Sequence, residues 1–81
     1  MITTQDSKEI VGVLWEHYYG LGCESGRVAL ETLNDDYTSG RLNGNLQEWG
    51  VENEAEFTVI FMMFAMQLAN AGVMDKPNMG R

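Results

Sequence analysis

The hydrophobic positions of this chain recur at helical spacing in several separate stretches. The longest is residues 55–73, AEFTVIFMMFAMQLANAGV, with no charged residue between Phe57 and Met74. At about 100° of rotation per residue, Phe57, Ile60, Phe61, Phe64, Leu68 and Ala71 share one side. Val59, Met62, Met63, Met66 and Val73 share the opposite side. Thr58, Ala65, Ala69 and Gly72 form a lane of small side chains between them, open to close approach by neighbouring backbone. A helix that is apolar on two opposite faces is expected to be covered on both. Methionine fills irregular gaps well and specifies shape poorly.

Three shorter patterns precede it. Ile10, Leu14, Tyr18 and Leu21, with Val11 and Val13 beside them, predict a helix over residues 6–20 and leave Trp15 and Tyr19 on its other side. Asp6 with Glu9 resembles a capping box, Ser7 is an equally acceptable cap, and Gly20 and Gly22 end the helix. Gly12 costs about 1 kcal/mol relative to alanine inside a helix, so it reads as a close-packing position. Gly26, Leu30, Leu33 and Tyr37, with Ala29 at the edge, predict a helix over residues 25–37 capped by Ser25. Its outer face carries Glu31, Thr32, Asn34 and Asp35. Ser25-Gly26-Arg27-Val28 recurs as Ser39-Gly40-Arg41-Leu42, which reads as one helix-start chemistry used twice.

Leu42, Leu46 and Trp49 then predict a short helix over residues 40–49. Asn43-Gly44 is the competing signal, a strong hairpin turn, but its flanks do not alternate apolar and polar. Gly50 breaks the chain. Asn53 and Glu56 open a helix over residues 53–72, with Glu52, Glu54 and Glu56 around its positive end and Gly72 closing it. The expectation is an all-α domain over residues 1–73: a small bundle of three main helices plus a short one, the long C-terminal helix central. Residues 74–81, with Pro77 and Gly80, have little to pack and are expected to fray.

The apolar run invites a membrane reading, since a span needs roughly 20 mostly apolar residues. Thr58, Gln67, Asn70 and Gly72 interrupt it, glutamates crowd its start, and no Trp or Tyr flanks either end as an interfacial anchor. A buried helix is favoured. The N-terminus, MITTQDSKE, shows neither the basic nor the apolar part of a signal peptide. Cys23 is the single cysteine, so no intramolecular disulfide forms, and a cytoplasmic location is expected.

Charge adds a second layer. The chain has 81 residues and a net charge of −7. Residues 1–23 contribute −2, residues 24–56 contribute −6, and residues 57–81 contribute +1. Five Lys and Arg, without clustering, are too few to neutralise a phosphate backbone, so direct nucleic-acid binding is not expected. A field of this sign favours basic partners, including the nucleic-acid grooves of other proteins.

Candidate chemistry is sparse. His17 is the single histidine, and together with Cys23 and Glu24 it matches no zinc-ligand spacing; it is expected to be partly buried and hydrogen-bonded. Cys23 is read as a small packed side chain. Asp35 and Asp36 are helix neighbours that point about 100° apart, so they do not form a carboxylate pair. None of the nine glycines makes a phosphate-cradling motif. No catalytic residue, metal or cofactor is assigned.

Aromatic residues remain. Trp15, Tyr18 and Tyr19 wrap around the first helix in directions too different for one small core to absorb them all. Such side chains dominate binding hot spots because they bury much area at little entropic cost. The candidate partner-binding set is therefore Trp15, Tyr18 and Tyr19 with the acids Glu31, Asp35, Asp36, Glu48, Glu52, Glu54 and Glu56. Val59, Met62, Met63 and Met66 are the candidate self-association face. In size, acidity and lack of catalytic groups, the chain resembles the small inhibitors that bacteriophages use against host machinery, anti-CRISPR proteins among them. That likeness lies in general character and in no motif. It implies a stoichiometric inhibitor or modulator that occupies a surface on a larger protein or protein–nucleic-acid complex. The alternative is a homodimeric helical protein with a structural or regulatory role.

Overall fold

A computed structural model describes residues 3–20 and 25–74. They are all-α: α1 (Thr4–Leu14), α2 (Gly26–Thr38), α3 (Asn43–Trp49) and α4 (Glu54–Asn70), with a π-helical turn, Trp15–Tyr19, continuing α1. There is no strand among the described residues. Cys23, Leu21, Gly22 and the segment 75–81 lie outside them, and with them the readings made of those positions.

Helix α1 starts earlier than its acids suggest. Thr3, in extended conformation, is the N-cap: its hydroxyl accepts from the Asp6 N–H at 3.0 Å, and the Asp6 carboxylate accepts from the Thr3 N–H at 3.3 Å. Asp6 thus supplies the third helical position of the box rather than its cap. Ile10, Val11 and Leu14 are buried, as is the small polar Ser7, whose hydroxyl donates to the Thr3 carbonyl at 3.1 Å. Gly12 packs against nothing, for a Cβ there would meet open space. Its close-packing reading is therefore corrected.

Helix α2 begins at Ser25, whose hydroxyl accepts from the Val28 N–H. Gly26, Ala29, Leu30 and Leu33 are buried, while Glu31, Thr32, Asn34 and Asp35 face outward as their spacing requires. The first two N–H groups of α2 are taken by the far end of the chain. Gly26 donates to the Val73 carbonyl at 2.8 Å, and Arg27 to the Met74 carbonyl at 3.0 Å. At the other end of α2, Tyr37 stacks on Phe57 at 3.8 Å between ring centroids. The start of α2 therefore meets the end of α4 and its end meets the start of α4, so the two helices run antiparallel.

The Ser-Gly-Arg repeat is not a repeated helix start. Ser25-Gly26 opens α2, whereas Ser39-Gly40 closes it. Gly40 takes φ +84°, its N–H donates to the Tyr37 carbonyl, and the Arg41 N–H reaches back to the Asp36 carbonyl. This pair of bonds is a Schellman closure, which needs a left-handed residue and so favours glycine. The same pair ends α4, where the Gly72 N–H donates to Ala69 and the Val73 N–H to Leu68. Gly50, at φ +80°, and Val51 end α3 in this way too, their N–H groups donating to Gln47 and Leu46. Residues 43–49 are helical, so Asn43-Gly44 forms the first turn of α3 and not a hairpin.

Asn53 caps α4 through a bond from the Glu56 N–H, and the Glu56 carboxylate accepts from the Glu52 N–H at 2.7 Å. One face of α4 supplies the centre of the core, with Phe57, Ile60, Phe64 and Leu68 buried against Val11, Leu14, Leu30 and Leu33. Leu42, Leu46 and Val51 close the core near α3. Met74, the first residue of the expected tail, is half-buried against the same core. The opposite face of α4 is uncovered: Val59 is 51% exposed, Met62 63% and Met66 62%. The expectation of burial on both faces thus fails within one copy of the chain. Of the small lane, Thr58, Ala69 and Gly72 are exposed, and Ala65 is half-buried against the core. No helix among the described residues is long and apolar enough to cross a membrane.

Candidate interaction surface

The aromatic group is shaped by the π turn. Gly20 donates to the carbonyl of Trp15, five residues back, at 2.6 Å. Each such turn holds one residue more than an α turn, so the side chains that follow are rotated out of α-helical phase. Tyr19 falls where Tyr18 would have followed Leu14, and it is Tyr19 that enters the core. Trp15 lies half-buried against it, with ring centroids 5.0 Å apart and planes tilted by 57°. His17 is exposed, contrary to the partly buried position expected of it. The rotation that carries Tyr19 inward turns His17 out.

Tyr18 makes a contact that periodicity does not reveal. Its hydroxyl donates to Asp36 Oδ2 at 2.6 Å, tying the π turn to α2 across 18 positions of sequence. Arg41 Nη1 donates to Asp36 Oδ1 at 3.0 Å. The bond from Tyr18, and then that from Arg41, hold the Asp36 carboxyl below its usual range. Burial, then the hydrogen bond to Asp36 and its charge, raise the Tyr18 phenol well above its usual range. Asp36 is therefore a structural acceptor, not a free surface charge, and two of the three aromatics have structural work.

The signs give a pH signature. A depressed carboxyl contributes stability that is present above its unfolded pKa near 4 and lost as pH falls through the lower folded value. A raised phenol contributes stability that is present below its unfolded pKa near 10 and lost as pH rises further. Urea midpoints measured from about pH 3 to about pH 11 should therefore decline at both ends. Asp36→Asn should flatten the acid limb and Tyr18→Phe the alkaline limb. Limbs unchanged in both variants would remove this pair from the account.

The remaining acids are spread over three elements. Glu31 and Asp35 are exposed on α2, Glu48 on α3, and Glu52 and Glu54 at the start of α4; Glu56 is half-buried in the cap described above. They form a broad negative surface, not a converging cluster. Among the described residues, no three His, Cys, Asp or Glu side chains group as donors for a metal ion. Val59, Met62 and Met66 form a continuous exposed stripe, with Met63 half-buried at its edge.

An open groove between the end of α2, α3 and the start of α4 is lined by Tyr37, Asn43, Leu46 and Gln47 together with Glu52 and Glu54. A second lies between Gly12, Trp15 and Glu16 on one side and Gln67, Asn70 and Ala71 on the other. Sequence reasoning missed the Tyr18–Asp36–Arg41 link and the Tyr37–Phe57 stack. Neither has a local signal, because each joins residues far apart in the chain. Comparison of the chain with family models, curated proteins and solved structures gives no significant match.

Proposed function

We propose that this chain is a small cytoplasmic, non-catalytic binding protein that occupies a basic surface, such as a nucleic-acid groove, of a larger protein. The observation that carries the reading is the sign and placement of its surface charge. Between Gly26 and Asn70 seven carboxylates stand against two guanidiniums, and one of those, Arg41, is committed to Asp36. Glu31, Asp35, Glu48, Glu52 and Glu54 point outward from three different elements. A surface of this kind steers a basic partner into contact and sets specificity more than raw affinity. Blocking such a groove stoichiometrically is what the likeness to small phage inhibitors implies, and it requires no reaction.

The test is co-purification from a host lysate at rising ionic strength. A partner retained near 50 mM salt should be released near 500 mM, because exposed charges separated by more than a few ångström are screened there. Glu31→Lys with Asp35→Lys should slow association at least tenfold, in keeping with the loss of steering. These two positions are preferred to Asp36, whose replacement would also break the contacts to Tyr18 and Arg41. Binding that withstands both high salt and charge reversal would overturn the reading.

A further inference from the structure

We infer that the exposed face of α4 is the contact of an antiparallel homodimer, its occupant being a second copy of this chain. The exposed residues Ala55, Val59, Met62, Met66 and Ala69 follow one another at spacings of four, three, four and three. That is the seam of a two-helix coiled coil, and here it lies on the outer face of a helix whose inner face is already packed.

The seam is complementary to itself about a two-fold axis beside Phe64. In that register Met62 lies opposite Met66 of the second copy, and Val59 opposite Ala69 of the second copy. Ala55 comes over the turn where the second copy's α4 ends. Val59 thus meets the smaller Ala69 on either side, and the flexible thioethers meet at the centre, where they adapt to one another. A two-fold contact requires this kind of self-complementarity, because each copy presents the same patch.

Charge selects the direction and the occupant. No charged side chain lies between Phe57 and Met74, so a second acidic copy brings no like charge into the seam. Antiparallel pairing sends the Glu52, Glu54 and Glu56 groups of the two copies to opposite ends. At 1.5 Å per residue these ends are about 25 Å apart, well beyond the screening length of about 8 Å at physiological salt. Parallel pairing would set the two groups side by side. A basic helix in the same place would find no carboxylate in the seam to pair with.

Area sets the strength. One helix face about 25 Å long and about 10 Å wide is a footprint of roughly 250 Å² per copy, far less than the ~800 Å² per partner of a stable complex. The dimer is therefore of the weak, concentration-dependent class.

Sedimentation equilibrium of the full chain from about 10 μM to about 1 mM covers that class. The mass should rise from monomer towards dimer across the series. Met62→Glu, at a position exposed in the monomer, should lower the association constant at least tenfold while circular dichroism stays helical. Met62→Glu combined with Met66→Lys in one chain should recover association, because the antiparallel register sets the new carboxylate against the new ammonium of the other copy. A monomer at the highest concentration, or an unaltered constant for Met62→Glu, would overturn the dimer. A double variant no better than the single one would overturn the register. None of these results depends on the salt-sensitive capture described above.

Discussion

Phe64→Ala is expected to destabilise the fold by about 3–5 kcal/mol, as removal of a fully buried phenyl group does elsewhere. Phe64 is completely excluded from solvent and is the largest side chain so enclosed. It sits at the middle of the buried face of α4, among residues supplied by α1 and α2. A domain of this size has a total stability of about 4–12 kcal/mol, so the loss is a large fraction of the whole. With a slope of about 1 kcal/mol per molar urea, the midpoint should fall by several molar. Gln67→Ala, on the exposed part of the same helix, should move it by less than about 0.5 kcal/mol. Equal effects of the two substitutions would mean that α4 does not present the face described.

Gly26→Ala is expected to cost about 1–3 kcal/mol, the usual penalty of overfilling a packed site. The sign is the informative part, because replacing glycine by alanine in a helix ordinarily stabilises it by up to about 1 kcal/mol. Here a Cβ would come within 3.2 Å of Leu68 Cβ, the Val73 carbonyl oxygen and Met74 Cα. Two of those three atoms are backbone and cannot turn aside. Yielding would stretch the bonds that Gly26 and Arg27 donate to Val73 and Met74. At about 4–8 °C per kcal/mol, the melting temperature should fall by several degrees. Gly44→Ala is the companion measurement, since a Cβ at Gly44 meets nothing. A rise in melting temperature for Gly26→Ala would show that α2 and the end of α4 are not in close contact.

The helices were legible because their determinants are local. The three- and four-residue spacing of Leu30 and Leu33, or of Phe57, Ile60, Phe64 and Leu68, marks a buried stripe without reference to the rest of the chain. Ser25 and Asn53 are caps by the same local logic. Local signals misled where two readings share one residue. Ser-Gly-Arg suits a helix start and a helix end alike, and only the course of the chain before it decides between them. The π turn defeated periodicity, because its added residue turned the side chains of His17, Tyr18 and Tyr19 progressively out of α-helical phase.

The interaction surface was legible only in outline. Composition locates the negative charge, but it does not show that Asp36 is held between Tyr18 and Arg41 or that the Glu56 carboxylate closes a cap. Nor does it show which apolar side of α4 the short α1 and α2 can reach. Hydrophobicity says that Val59, Met62 and Met66 should leave water, and not whether one chain has enough surface to cover them.

The bonds from Gly26 and Arg27 to Val73 and Met74 join points about 50 positions apart in the chain. On a ribosome adding about 5–20 residues per second, α2 therefore waits several seconds for the carbonyls that complete its first turn. Single helices form and melt in about a microsecond, so that interval is long enough for very many openings. For the first half of it, until Glu54 is added, Leu30 and Leu33 have no α4 to lie against. The order of synthesis leaves the first turn of α2 to be completed by the last described residues, Val73 and Met74.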